Sequence, residues 1–126
     1  MNLETLRGWL LAKPGSVATY PFGPQPLVVK VGGKIFALLS EDAKPLQISL
    51  KCEPAHAQFL RDSFPAVRPG YHLNKEHWNT VTLDGSIDDE GIHAMIDESY
   101  RLVVKGLSKA VQRSLKLDNA TGHTPS

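Results

Sequence analysis

Residues 27–39, LVVKVGGKIFALL, limit most sharply what this chain can fold into. Two runs rich in β-branched and aliphatic residues, Leu27 to Val31 and Ile35 to Leu39, flank Gly32-Gly33. Paired glycines supply the positive φ angles of a tight turn, so the segment reads as an antiparallel β-hairpin. Leu27, Val29 and Val31 then share one side of the hairpin, and Val28 and Lys30 share the other.

A second pattern extends the sheet. Leu46, Ile48, Leu50 and Cys52 alternate with Gln47, Ser49 and Lys51, the signature of a strand with one wet face. Val17 to Tyr20 and His77 to Leu83 read as further strands. Val81 and Leu83 point inward in the last of these, which sends Trp78, Thr80 and Thr82 the opposite way. The stretch FPAVRPG at 64–70 reads as a loop.

Helices fill the remainder. Leu3, Leu6 and Leu10 form one stripe between an N-cap at Asn2 and a stop at Pro14-Gly15. Pro54 suits the first turn of a helix that ends at Phe64-Pro65. A long helix is expected from Ser86 onward, with Ile92, Met95, Ile96, Val103 and Leu107 near helical spacing. Either Ser86, in a capping box with Asp89, or Asp88 caps it. Residues 117–126, poor in apolar side chains, read as a disordered tail behind a single domain at 1–116. This order of elements predicts an α+β domain, an antiparallel sheet with helices packed on one face and the other face open.

Composition narrows the partners. The chain has 126 residues and a formal net charge of +1, which provides no global attraction to nucleic acid or acidic lipid. Any electrostatic role must come from local arrangement. A single cysteine, Cys52, rules out an internal disulfide and suits a reducing compartment. The start, MNLETLRGWLLAKPGS, lacks the basic, long apolar pattern of a signal peptide. No apolar run approaches the roughly 20 residues a membrane span needs. The expectation is a cytoplasmic, monomeric domain with no membrane association.

Candidate chemistry gathers on the open face and in the polar segment at 70–79. If the strand faces align, Lys30, Lys51 and Trp78 share one surface, where an aromatic beside lysines can stack a ring and hold a phosphate. The plainer reading leaves the lysines solvated and folds Trp78 over the edge of the core. His72, Asn74, Lys75, His77 and Asn79 either brace a loop through hydrogen bonds or face a ligand. His72 and His77 lack a metal-ligand spacing, so neither metal nor cofactor is expected; Cys52 with a histidine is the nearest alternative. Val31-Gly32-Gly33-Lys34 lacks the rest of a phosphate-loop motif. The last helix carries Asp84, Asp88, Asp89, Glu90, Asp97 and Glu98 at its start, then Arg101, Lys105, Lys109, Arg113 and Lys116. That gradient complements the helix dipole, and its basic end could also meet phosphates.

Several segments resemble the MmcQ/YjbR family: YPFG at 20–23, VKVGGKIFAL at 29–38, LKCEP at 50–54, PGYHLNKEHWNTVTLDGS at 69–86 and SYRLVVKGLSK at 99–109. The resemblance implies a CyaY-like two-layer α+β domain and a non-enzymatic DNA-binding protein with a double-wing motif. Iron binding of the frataxin type is not carried over, because the first helix has only Glu4 as an acid. DNA contact would then use Lys30, Lys34, Lys51 and Lys75, with Trp78 or Tyr71 stacking. A small-ligand or protein-interaction module built on residues 70–79, with a pocket beside Tyr71, His72 and Trp78 and with Asn74, Lys75, His77 and Asn79 as further contacts, is the alternative.

Overall fold

The computed structural model describes residues 2–70 and 73–122, with side chains as far as residue 115. Four helices and six strands follow in the order α1 (Leu3–Leu11), β1 (Ser16–Thr19), β2 (Leu27–Val31), β3 (Lys34–Ser40), β4 (Gln47–Lys51), α2 (Pro54–Ser63), β5 (Val67–Pro69), β6 (Trp78–Thr82), α3 (Asp89–Lys105) and α4 (Lys109–Gly122). The strands form a single antiparallel sheet in the order β1-β2-β3-β4-β6-β5. The expected α+β class and antiparallel sheet are therefore what the chain adopts.

The hairpin closes at Gly32 and Gly33, whose φ angles are +57° and +80°. A β-carbon on Gly32 would also lie 2.6 Å from a methyl of Leu107, so this glycine answers both to backbone conformation and to the element packed on it. One face of the sheet presents Leu27, Val29, Val31, Ala37, Leu39, Ile48, Leu50 and Val81 to a common core. Leu6 and Leu10 of α1, Ala57 and Leu60 of α2, and Ile92, Ile96 and Val103 of α3 complete that core. The predicted cap at Asn2 holds, accepting from the Thr5 amide, and of the two caps expected for the long helix Asp88, not Ser86, is the one used, accepting from the Gly91 amide.

Three expectations are corrected. Residues 67–69 form an edge strand instead of a loop, because Val67 pairs with Val81 and is buried between the sheet and the core. The final helix is two helices. Gly106 ends α3, and the Ser108 hydroxyl accepts from the Val111 amide to begin α4. Helical backbone also continues through Gly122, into the stretch expected to be a tail. Among the described residues no helix is long and apolar enough to cross a membrane.

Candidate functional site

The sheet parts at one end, and the site lies there. A bulge interrupts the β2–β3 register between Val29 and Lys30, turning Phe36 into the core beside Ala37. Past the Ala37–Leu50 pair, β3 and β4 are no longer bonded to each other. Ser99, fully buried on α3, fills the gap. Its hydroxyl donates to the Phe36 carbonyl at 2.5 Å and accepts from the Lys51 amide at 2.8 Å. One hydroxyl thus satisfies two backbone groups that the split would leave unpaired.

A cleft of about 480 Å³ opens beside this split, lined by Lys30, Lys34, Ile35, Lys51, Trp78 and Leu102, among others. Three of its lining residues are lysines and none is acidic. A second recess of about 360 Å³ shares Lys51, Trp78 and Leu102 and adds Asn74, His77, Cys52 and Glu53. Register explains part of the lining: on the sheet face away from the helices Lys51 stands opposite Trp78 and Lys30 opposite Ile35, and Leu102 and Val103 of α3, with its cap Gly106, line the cleft with them. Ser49 and Thr80 continue that face as a hydroxyl pair 2.8 Å apart.

The predicted site residues divide between cleft and brace. Lys30, Lys34, Lys51 and Trp78 come together in the larger cleft, and Asn74 and His77 join Lys51 and Trp78 in the recess. Lys75 is exposed and lines neither cavity. Asn79 is corrected as a contact residue, since it is only 3 % exposed and faces the helix layer. Its side chain accepts from the Arg61 guanidinium at 2.7 Å and donates to the Ala57 carbonyl at 3.3 Å. Tyr71 and His72 lie outside the described residues.

Arg61 is one residue that sequence reasoning missed. From α2 it donates to Asn79, to the Lys75 carbonyl and to the Trp78 carbonyl, pinning the loop before β6. Asn74 closes a local turn by accepting from the Glu76 amide at 2.9 Å. The Cys52 amide donates to the His77 carbonyl at 2.8 Å and joins this loop to β4. Gly70 belongs to the same brace. A β-carbon there would sit 2.8 Å from the Trp78 β-carbon, so its missing side chain sets how closely the loop lies on β6.

A second constellation stands where β4 enters α2. Cys52 Sγ lies 3.5 Å from His56 Nδ1 and 3.3 Å from Glu98 Oε2, and His56 Nδ1 lies 2.6 Å from Glu98 Oε1. Burial, followed by the Glu98 carboxylate accepting from the thiol, pushes the Cys52 pKa up to about 12. A thiol held protonated in this way is a poor nucleophile at neutral pH. His56 and Glu98 were not among the expected site residues. The Cys-x-x-x-His spacing brings thiol and imidazole together only because the strand ends at Lys51 and the helix starts at Pro54.

Fold and cleft together define a class: a small α+β domain with one helix-covered antiparallel sheet and a lysine-rimmed cleft where that sheet divides. The YjbR family model matches residues 11–102. The chain belongs to the YjbR family. It is 37 % identical over 113 residues to the uncharacterised protein YbdF of Escherichia coli O157:H7, covering 90 % of this chain and 93 % of that protein. It is 36 % identical over 115 residues to the uncharacterised protein YjbR of Escherichia coli K12, covering 91 % and 98 % respectively. The crystal structure of Deinococcus radiodurans protein DR2400, of the DUF419 domain family, superposes with a TM-score of 0.85 at 38 % identity, covering 99 % of this chain and 91 % of that one. A Pseudomonas syringae protein superposes with a TM-score of 0.71 at 30 % identity, covering 82 % and 99 %.

Proposed function

We propose that this chain is a non-enzymatic DNA-binding module whose contact surface is the Lys30–Lys34–Lys51–Trp78 cleft. One observation carries the reading: three lysines and a half-buried tryptophan line one concave space with no acidic lining residue. Lysines supply point charges to phosphates, and an indole offers a stacking face that any base can use. Stacking needs an unpaired base, so single-stranded DNA should bind more tightly than duplex. The near-neutral net charge confines attraction to this cleft, so binding should be weak and steeply salt-dependent.

Fluorescence anisotropy of a labelled oligonucleotide, measured across a salt series, tests the proposal. Neutralising three phosphates on a single strand gives a log–log salt slope of about −2. Lys51→Glu or Lys30→Glu should weaken binding and lower the magnitude of that slope by about 0.7. No anisotropy change at low salt would refute it.

The recess beside Trp78, with Asn74 and His77 as polar lining, favours a second reading. There, a small anionic ligand carrying a ring binds Lys51 and Trp78 alone. A mononucleotide that binds as tightly as the oligonucleotide, with no dependence on Lys34, would select it.

A further inference from the structure

We propose that Cys52, His56 and Glu98 form a three-ligand site for a divalent cation of the zinc class, with its fourth position open to the groove between α2 and α3. The donor set is one thiolate sulfur, one imidazole nitrogen and one carboxylate oxygen, the mixture borderline-soft cations take. Their ligand atoms lie within 4.8 Å of one another. Around a tetrahedral zinc, with metal–ligand bonds of about 2.0 to 2.3 Å, such donors stand about 3.3 to 3.6 Å apart. The Cys52–His56 and Cys52–Glu98 separations, 3.5 and 3.3 Å, already have that span. Only the His56–Glu98 pair, hydrogen-bonded at 2.6 Å, must open, by about 0.7 Å.

The fold holds these donors on three different elements. Cys52 follows β4, His56 stands in the first turn of α2, and Glu98 projects from the middle of α3. The Glu53 amide also donates to Glu98 Oε2, at 3.4 Å, which orients the carboxylate as a supporting hydrogen bond does in metal sites. Burial is graded: Cys52 is 4 % exposed, the Glu98 side chain 14 % and the His56 side chain 44 %. The site therefore opens on the His56 side, where a groove of about 500 Å³ is lined by Leu60, Phe64, Met95 and Asp88 as well as His56 and Glu98. A closed structural site would use four protein ligands, whereas three ligands beside a groove leave room for water or an outside donor. On binding, the cation takes the place of two protons: the thiol proton leaves to solvent, and the proton that His56 Nδ1 donates to Glu98 moves by way of solvent to Nε2, which leaves the imidazole neutral with Nδ1 free to ligate.

Cobalt(II) added to the full-length, tag-free, reduced chain tests the site, because its spectrum reports its ligands. One equivalent should give a thiolate-to-cobalt charge-transfer band in the near ultraviolet and visible bands of tetrahedral intensity. Zinc should displace both. Cys52 is the only cysteine, so Cys52→Ser must abolish the charge-transfer band. His56→Gln, whose side-chain amide can still donate to Glu98, should weaken cobalt binding at least tenfold while the metal-free chain keeps the wild-type circular dichroism spectrum. A merely structural Cys52–His56–Glu98 cluster would give no charge-transfer band in the wild type. That result, or wild-type affinity in His56→Gln, would overturn the proposal.

Discussion

Ser99 shows how much of the site depends on a single hydroxyl. It bonds the Phe36 carbonyl and the Lys51 amide, and so holds open the divided end of the sheet. Ser99→Ala leaves both backbone groups buried and unpaired, which should cost about 1 to 3 kcal/mol of stability, measurable by urea denaturation. Cys52 makes a separate prediction. Its pKa rises in the fold from an ordinary 9.0 to about 12, through burial and then Glu98. Between those values the unfolded thiol has lost its proton while the folded one keeps it, so stability falls as pH rises through that window. Burial raises the Tyr100 phenol in the same direction. In chelator, the loss of stability from about pH 8 to about pH 10.5 should therefore be smaller in Cys52→Ala than in wild type, because Tyr100 is common to both. Equal losses would contradict the assigned environment. The alternation from Leu46 puts Cys52 on the buried side of its strand, as found, but its Glu98 partner and the role of Ser99 could not be read from the sequence. Ser99 looks like an ordinary helix residue until Phe36, 63 positions away, is placed beside it.

At the scale of elements, local patterns were legible where local physics decides them. Gly32-Gly33 forces the hairpin, and the alternation from Leu46 to Cys52 sorts that strand's two faces. Asn2, Pro54 and Asp88 mark helix starts because each answers a backbone need within one turn. The break between α3 and α4 was hidden by Leu107, which keeps near the helical stripe although Gly106 and Ser108 on either side interrupt it. Strand β5 was hidden by Pro65 and Pro69, and only its pairing with β6 reveals it. The segment at 70–79 was half legible. Its side chains were named, but Arg61 lies 14 to 18 residues from its partners. Arg61→Ala should destabilise the chain by about 1 to 3 kcal/mol by removing the Arg61 donor to the Asn79 side-chain oxygen and to the Lys75 carbonyl, while the Trp78 carbonyl keeps the Gly70 amide. Amide exchange at residues 73–77 should quicken more than exchange in β2 and β3, because the loop loses its anchor while the hairpin keeps its ladder. Uniform acceleration would mean that Arg61 stabilises the fold without anchoring the loop.

Across the whole molecule, function is a matter of sidedness. Helices α1 to α3 cover one face of the sheet and spend its apolar side chains on the core. The other face keeps Lys30, Lys51, Trp78 and the Ser49–Thr80 pair, and at the split between β3 and β4 the cleft reaches past the sheet to Leu102 and Val103 of α3. Net charge, a property of the whole chain, conceals this arrangement, since the acids cluster at the start of α3 and none lines the larger cleft. The chain has two tryptophans, and Trp9 packs edge-on against His93 near α1, away from the cleft. In a Trp9→Phe background, therefore, Trp78 alone reports cleft occupancy. Titrating that variant with a single-stranded oligonucleotide at low salt should quench Trp78 emission saturably, and adding salt should restore it. Quenching should disappear in Lys30→Glu/Lys51→Glu on the same background. Unchanged Trp78 emission, or quenching indifferent to both salt and the two lysines, would contradict a DNA-binding cleft.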